Sequence, residues 1–195
     1  MEIMERGVGD RNILDKFALE FCAIVEKYVK YIIVSGFVAI AHGTRRTTED
    51  IDMIIEKISF DKFKDFHEEL LRNGFHCMQS TQIEDIYEYL IHKDSVRYVR
   101  QGSLMPPEME VKFVKDEIDE LQMATRKKFE FTGLDLWFSS IEFNVAFKEE
   151  LLKANKDMED ARHLRIIYKD KIDENFINEI KKMIRKLRLN KNGKR

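Results

Sequence analysis

Nowhere does the sequence approach the roughly 20 consecutive apolar residues that a membrane-spanning helix needs, and its first ten residues lack the apolar run of a secretory signal. We therefore expect a cytoplasmic protein with no membrane partner. Its two cysteines, Cys22 and Cys77, are not spaced as metal ligands or as a redox pair, so we expect two reduced packing residues. With only two prolines and eight glycines, the chain is neither collagen-like nor a low-complexity linker.

The remaining composition is that of a globular protein, because 44% of the 195 residues are hydrophobic and 36% are charged. This length allows one domain of ordinary size with a helical appendage. The charge is unevenly distributed: residues 181–195 contain eight basic side chains and no acidic one, whereas the rest has 26 basic against 36 acidic side chains. The basic terminus is either a weak indication of nucleic-acid binding or a solvated helix end.

Hydrophobic periodicity predicts the order α-β-α-β-α for the first 74 residues. The predicted elements are a helix over 13–29 capped by Asn12, a strand over 31–34, a helix over 36–43, a strand over 50–55 and a helix from Ser59 to Asn73. The strand at 31–34 reads Tyr-Ile-Ile-Val, which is typical of a strand buried on both faces.

The pattern changes after Gly74 to strands and then returns to helices. The predicted strands cover 75–80, 85–92, 96–101 and 109–115, with a hairpin turn at Lys93-Asp94-Ser95 and two shorter strands at 129–131 and 134–138. Helical periodicity covers 140–152, 157–168 and 173–189. The predicted fold class is therefore α/β (α+β), with a mixed-sheet domain over 1–138 and a helical region over 139–195.

The most informative pattern is Asp50-Ile51-Asp52, at the start of the second strand. Because side chains alternate across a strand, Asp50 and Asp52 share one face, about 7 Å apart at the backbone, while Ile51 points into the core. Two carboxylates so placed suit Mg²⁺, which prefers oxygen ligands and is often held by one or two carboxylates together with substrate phosphates. Alone, the pattern is weak evidence, because such pairs are common on solvent-facing strands.

A second feature lies upstream, where the buried first strand runs through Ser35-Gly36 directly into a helix. Such a turn exposes backbone N–H groups at the positive end of a helix dipole and is a suitable place for phosphate. A strand, a glycine turn into a helix and then an Asp-x-Asp strand is a much rarer order than either feature alone. The combination favours a site for a nucleoside triphosphate and a divalent metal ion.

These residues resemble the nucleotidyltransferase superfamily, which has a polymerase-β-like fold, and in particular its small toxin and abortive-infection members in bacteria and archaea. The resemblance rests on Gly36, on Arg46-x-Thr48-x-Asp50-Ile51-Asp52, on Ser139-Ser140, on Lys148 and on Lys156-Asp157-x-x-Asp160-x-x-x-Leu164. It covers about residues 31–168 in separate blocks. One position departs from the family pattern, which has two small residues, usually Gly-Gly or Gly-Ser, at the turn. Here Ser35 stands at the first glycine position.

The resemblance implies transfer of a nucleoside monophosphate from a nucleoside triphosphate to an acceptor hydroxyl, with Mg²⁺ or Mn²⁺ as cofactor. It implies that Asp50, Asp52 and Glu110 are catalytic and bind the metal. Glu110 is our choice for the third carboxylate because 109–114 alternates as a strand, with Glu108 and Asp116 as alternatives. The nucleotide-binding residues that it implies are Ser35, Gly36, Arg46, Thr48, Lys112, Lys148, Lys156 and Asp157.

Ordinary structural roles compete with these assignments. An arginine beside acidic residues is often a surface ion pair, which is the alternative for Arg46. Lys148 and Asp157 have the alternative of ion pairs on a solvated helix face, such as Asp157 with Arg162 or Lys153.

Three hypotheses for the whole protein follow. The first is an active nucleotidyltransferase whose acceptor is RNA, tRNA or a protein. The second is an inert module of the same fold that binds nucleotide, nucleic acid or a protein partner, for which Ser35 is a hint. The third is a toxin–antitoxin component directed at a tRNA or a protein. The oligomeric state is not readable from the sequence.

Overall fold

The computed structural model describes residues 13–102 and 106–189, which form one mixed five-stranded sheet with helices packed on it. The strands are β1 (Tyr31–Val34), β2 (Asp50–Ile55), β3 (Phe75–Cys77), β4 (Val96–Arg100) and β5 (Glu108–Phe113). Their order is β1-β2-β5-β4-β3, with β2 and β5 parallel and all other neighbours antiparallel. The mixed α/β class predicted from the sequence is confirmed.

Eight α-helices occur within the described ranges. They are α1 (Ile13–Val25), α2 (Gly36–Ala41), α3 (Phe60–Arg72), α4 (Ile83–Ile91), α5 (Glu117–Ala124), α6 (Ile141–Phe147), α7 (Asn155–Ile167) and α8 (Glu174–Ile184). Single π-helical turns extend α6 over Lys148–Leu152 and α8 over Arg185–Leu189. The predicted cap Ser59 accepts a hydrogen bond from the backbone N–H of Lys62 (3.4 Å).

The two faces of the sheet are covered by different helices. On one face, Ile33 and Ile51 belong to the main hydrophobic core, which also contains buried side chains of α1, α3 and α4. On the opposite face, Ile32 and Ile54 pack with Met123 of α5. Because side chains alternate along a strand, the charged positions of β2 belong to this second face.

The C-terminal helices have a hydrophobic core of their own. Phe143 and Val145 of α6 pack with Leu164 of α7 and with Ile177 and Ile180 of α8. A backbone hydrogen bond from Ser139 to Ile33 (2.9 Å) connects the start of this region to β1. We keep the division into 1–138 and 139–195 as a proposal.

The predicted strand at 85–92, with a hairpin turn after it, is wrong. These residues belong to α4, because Ile83, Ile86, Tyr87 and Leu90 recur at helical spacing and place Ile86 and Leu90 on a buried face. Isoleucine and tyrosine also favour strands, so composition alone is ambiguous here. Lys93 follows the helix with a left-handed backbone (φ 70°) and ends it.

The two short strands predicted at 129–131 and 134–138 are also wrong. Glu130–Thr132 form a 3-10 turn, and Phe138 makes single bridges to Ile33 and Lys127 instead of a ladder. Phe138 is fully buried beside β1. The aromatic residues of this segment therefore serve packing without extending the sheet.

Sequence reasoning missed α5. Its start is marked by Asp116, whose carboxylate accepts hydrogen bonds from the backbone N–H groups of Ile118 and Asp119 (3.1 and 3.2 Å). The low amphipathicity of 117–124 hides the helix, since several of its buried positions are polar. This helix nevertheless forms one wall of the site described below.

The described part of the basic C-terminus packs on the folded body. Three of its side chains form ion pairs there: Lys181 with Glu149 (2.6 Å), Arg185 with Glu150 (3.1 Å) and Arg188 with Asp116 (2.8 Å). These charges are therefore compensated within the protein. Residues 190–195 lie outside the described ranges, as does the predicted cap Asn12.

Cys22 and Cys77 are free and buried, as predicted. In the segments that the structure describes, no helix has the length and apolar character that crossing a membrane requires.

Candidate active site

Four carboxylates lie side by side, in two pairs, on the neighbouring strands β2 and β5. Asp50 lies opposite Glu108 and Asp52 opposite Glu110 in the parallel register, on strands about 4.8 Å apart. All four are half-buried and alternate with buried apolar residues, so they share the second face of the sheet. Glu110 therefore lies beside Asp52, and the alternative Glu108 lies beside Asp50 in the same way.

The electrostatic environment of Asp52 is dominated by burial. Burial raises the pKa of this carboxyl, and the neighbouring charges of Glu110 and Asp50 raise it further. Lys112 and a hydrogen bond from the Ser35 hydroxyl act in the opposite direction but do not cancel the increase. Burial, more than the neighbouring charges, therefore sets the protonation behaviour of Asp52.

The turn between β1 and α2 has a backbone conformation that suits glycine better than serine. Ser35 has φ 64° and ψ −130°, a backbone conformation that residues with a Cβ atom rarely adopt. This explains physically why a glycine at the first position would fit. Since α2 is only six residues long and wholly buried, the turn itself, more than a long helix dipole, provides the polar groups near Asp52.

Replacing Ser35 with glycine should stabilise the protein. The substitution relieves the left-handed backbone strain at a small cost in unfolded-chain entropy and in the hydroxyl contact to Asp52, so we expect a gain of about 1 kcal/mol in the free energy of unfolding. Urea denaturation would measure it. The control is Ser35→Ala, which removes the hydroxyl but keeps the Cβ and should give no gain. A glycine variant less stable than the wild type would contradict the strain argument.

Three of the predicted nucleotide-binding residues are already engaged with the protein. A Cβ at Gly36 would collide with the guanidinium of Arg46, so a larger residue here would require the Arg46 side chain to move. Arg46 pairs with Asp160 of α7 (3.1 Å) and joins the turn to the helical region. Thr48 donates a hydrogen bond to Oδ1 of Asp50 (2.9 Å) and fixes the orientation of that carboxylate.

A buried ionic cluster extends from this contact. Lys148 is 1% exposed, and its Nζ lies 2.8 Å from Oδ2 of Asp160 and 3.7 Å from Oδ1 of Asp157. Asp160 therefore holds both Lys148 and Arg46 while it is itself fully buried. The partner of Asp157 in the described chain is Lys148, and not the basic sequence neighbours considered above. Lys156 is exposed on the first turn of α7.

A cleft of about 250 Å³ opens between the second face of the sheet and the helical region. Four of the predicted residues line it: Ser35, Asp52, Lys112 and Lys148. Its apolar walls are formed by Val34, Ile54, Phe143, Phe147, Leu151 and Leu152. The cleft thus combines carboxylates, cationic side chains and apolar walls, a lining that suits a ligand with both charged and apolar parts.

All three candidates for the third carboxylate, Glu108, Glu110 and Asp116, form ion pairs with arginine. Arg97 of β4 contacts Glu110 (3.0 Å) and Glu108 (3.4 Å), while Arg188 binds Asp116 through two nitrogens. Asp116 also caps α5, which makes it the least available of the three. Within residues 13–102 and 106–189, no three His, Cys, Asp or Glu side chains are grouped closely enough to hold a metal ion.

Sequence reasoning missed several side chains that line the cleft. Lys115, Asp119 and Gln122 come from β5's end and α5, Asn144 from α6, and Arg188 from the last described turn. Burial and the neighbouring Arg188 charge lower the pKa of Lys115. Only Asn144 had a local signal, four residues after the cap Ser140. The others depend on how α5 and the C-terminus pack.

The mixed sheet, the Ser35-Gly36 turn and the Asp-x-Asp strand with a parallel neighbour form a nucleotidyltransferase-like fold, which two solved structures share. The solution structure of the antibiotic-resistance factor ANT(2″)-Ia matches with a TM-score of 0.55 and 13% identity, over 92% of this chain and 95% of that chain. Its crystal structure in complex with adenylyl-2″-tobramycin matches with a TM-score of 0.55 and 12% identity, over 90% and 98%. At this identity the likeness establishes the fold.

A further match, JHP933 from Helicobacter pylori, has a TM-score of 0.34 and 11% identity over 93% of this chain and 98% of that chain, and adds nothing to the assignment. No family model matches the sequence, and no curated protein matches it.

Proposed function

We propose that this protein is a metal-dependent nucleotidyltransferase that moves a nucleoside monophosphate from a nucleoside triphosphate to an acceptor hydroxyl. The observation that carries the proposal is the register of β2 and β5, in which Asp50, Asp52 and Glu110 share one face of the sheet. Of the three, Asp52 also lines the cleft. The fold shared with ANT(2″)-Ia supports the same class of reaction.

Asp50 and Asp52 are the residues proposed to hold the divalent ion. Their oxygens match the preference of Mg²⁺ and Mn²⁺, and their alternation on β2 places both carboxylates on one face of the strand. When bound, the ion supplies charge neutralisation for the triphosphate. Thr48 would keep Asp50 in place through its 2.9 Å hydrogen bond.

The triphosphate is proposed to lie along the turn and the basic side chains of the cleft. Ser35 and Lys112 are the groups positioned for phosphate oxygens, and Lys148, which is buried and paired with Asp160, would act from behind the cleft wall. Arg46 and Asp157 would act indirectly, since both are engaged in the buried cluster around Asp160 and Lys148. Lys156 keeps only the assignment that the family resemblance implies.

In the transfer step the acceptor oxygen bonds to the α-phosphorus, the bond to the bridging oxygen of the β-phosphate breaks, and pyrophosphate leaves. Glu110 is proposed to accept the proton of the attacking hydroxyl. In the structure its carboxylate contacts Arg97 (3.0 Å), so this role requires that the Arg97 contact be released or shared when substrates bind.

The acceptor is proposed to be a hydroxyl of RNA, tRNA or a protein, and the location to be the cytoplasm, where free cysteines such as Cys22 and Cys77 persist. The test of the whole proposal is incubation with each α-labelled triphosphate, Mg²⁺ or Mn²⁺ and total cellular RNA or protein. We expect label in one macromolecular fraction and release of pyrophosphate.

A Glu110→Gln variant should retain binding of Mg²⁺ and triphosphate through Asp50 and Asp52 but lose turnover by about 10²- to 10⁴-fold, because an amide cannot take the proton. Isothermal titration and pyrophosphate release would measure the two properties. The matched control is Glu108→Gln, which makes the same change on the same strand face and at the same Arg97 contact. It should keep near-normal turnover.

If the Glu108→Gln variant loses turnover and the Glu110→Gln variant keeps normal turnover, the role of the base belongs to Glu108. The inert-module hypothesis has one specific observation in its favour, namely that Arg97 neutralises both glutamates. Nucleotide binding without pyrophosphate release from any triphosphate would support it over the active enzyme.

A further inference from the structure

Two amide side chains lie at the part of the cleft formed by α5 and α6. Gln122 and Asn144 both line the cleft, and each is only 4% exposed. The third polar group there, Asp119, uses one carboxylate oxygen for the backbone N–H of Lys115 and the other for Arg188. The two amides differ from Asp119, because each uses only one of its two polar atoms for a hydrogen bond within the described chain.

A hydrogen-bond network fixes which halves are bonded. Nδ2 of Asn144 donates to the backbone carbonyls of Ser139 (3.2 Å) and Ser140 (2.9 Å), so its Oδ1 remains free. The hydroxyl of Ser139 donates to Oε1 of Gln122 (2.7 Å), so the Nε2 of Gln122 remains free. Ser139 is itself tied to β1 through Ile33 (2.9 Å). One anchored residue thus holds both amides.

The two remaining atoms are a donor, Nε2 of Gln122, and an acceptor, Oδ1 of Asn144, at the cleft wall. A ligand that supplies the complementary groups gains hydrogen bonds to both without displacing a protein contact. The adjoining walls are apolar and partly aromatic, with Ile54, Phe143 and Phe147 among them. A flat heterocycle with polar atoms on one edge meets both requirements, whereas a ribose does not need apolar walls.

We propose that Gln122 and Asn144 read the base of the nucleoside triphosphate, an inference that rests on the proposed function. Adenine and cytosine present an exocyclic N–H donor beside a ring-nitrogen acceptor, whereas guanine and uracil present a carbonyl acceptor beside a ring N–H donor. Because two backbone carbonyls hold Nδ2 of Asn144, its Oδ1 is a fixed acceptor, and the site distinguishes these two classes by the position of their N–H donor. We expect a preference of about tenfold or more for one class over the other.

The test is equilibrium binding of ATP, CTP, GTP and UTP with Mg²⁺ to the wild type and to Gln122→Glu. This substitution keeps an oxygen for the Ser139 hydroxyl but replaces the free N–H donor by an acceptor. The expected result is that the ratio between the two base classes falls by about tenfold or reverses. A ratio, unlike an absolute affinity, is insensitive to the added negative charge.

The matched control is Lys112→Met, which changes the charge of the same cleft by the same amount. It should weaken all four triphosphates alike and leave the ratio unchanged. Thermal unfolding of both variants verifies that each is folded.

Several results would overturn the inference. Equal binding of the four triphosphates by the wild type, or an unchanged ratio in Gln122→Glu, excludes base reading by this pair. Equal binding together with weak binding of 2′-deoxy triphosphates would assign the amides to the ribose instead. Absence of binding by any triphosphate would contradict the proposed function itself, and so is distinguishable from failure of the base-reading inference.

Discussion

Replacing Asp52 with asparagine should abolish nucleotide transfer and, at the same time, make the ligand-free protein more stable. The neutral amide cannot supply the charge that a divalent ion requires, so we expect turnover to fall by at least about 10³-fold. Binding of triphosphate should no longer depend on Mg²⁺. Opposite effects on activity and stability are the signature of a residue retained for function.

The stability gained by the Asp52→Asn variant should depend on pH in a definite direction. Because burial and neighbouring carboxylates raise the pKa of Asp52 in the folded state, the folded protein favours its protonated form. The corresponding contribution to stability is present below the ordinary carboxyl pKa and is lost as pH rises through the folded pKa. The asparagine variant should therefore be more stable than the wild type at pH 7 and differ little from it at pH values below the ordinary carboxyl range.

Thermal unfolding at both pH values, with and without Mg²⁺ and triphosphate, would check these expectations. At one hundred times the dissociation constant, ligand should stabilise the wild type by about 2.7 kcal/mol and the variant hardly at all. Asp65→Asn, an exposed position on α3, is the control for removing one carboxylate and should change neither property. An Asp52→Asn protein with normal turnover would remove Asp52 from the metal site.

The largest loss of stability is expected for Asp160→Asn. Asp160 is fully buried and is the shared partner of Lys148 (2.8 Å) and Arg46 (3.1 Å). Removing its charge leaves two cations poorly compensated in the interior, which costs about 3 kcal/mol in comparable buried pairs. Since Arg46 lies against Gly36, we also expect a looser phosphate turn and weaker triphosphate binding.

Urea denaturation would measure the first effect and titration with triphosphate the second. Asp157→Asn is the matched control on the same helix, and it should cost less because its contact to Lys148 is longer, at 3.7 Å. If Asp160→Asn lowers the free energy of unfolding by less than about 1 kcal/mol, the cluster is not the stabilising unit that its geometry implies.

Much of the site could be predicted because its signals are local. Alternation along a strand places Asp50 and Asp52 on one face whatever surrounds them, and the buried strand before Ser35-Gly36 is evident from its composition. The assignment of α4 failed for the opposite reason. Its isoleucines and tyrosines fit either element, and only their spacing and their packing in the core favour the helix.

The sequence by itself determined the α-β-α-β-α start, the pairing of Asp50 and Asp52 on one strand face and the face on which Glu110 lies, because each depends on neighbours within a few residues. Only the tertiary structure decided that β5 lies beside β2, that Arg97 pairs with Glu110, and that residues as distant as 46, 148 and 160 share one buried ionic cluster. Such partners are selected by strand register and by the burial of charge, and both are properties of the packed chain that no local spacing encodes.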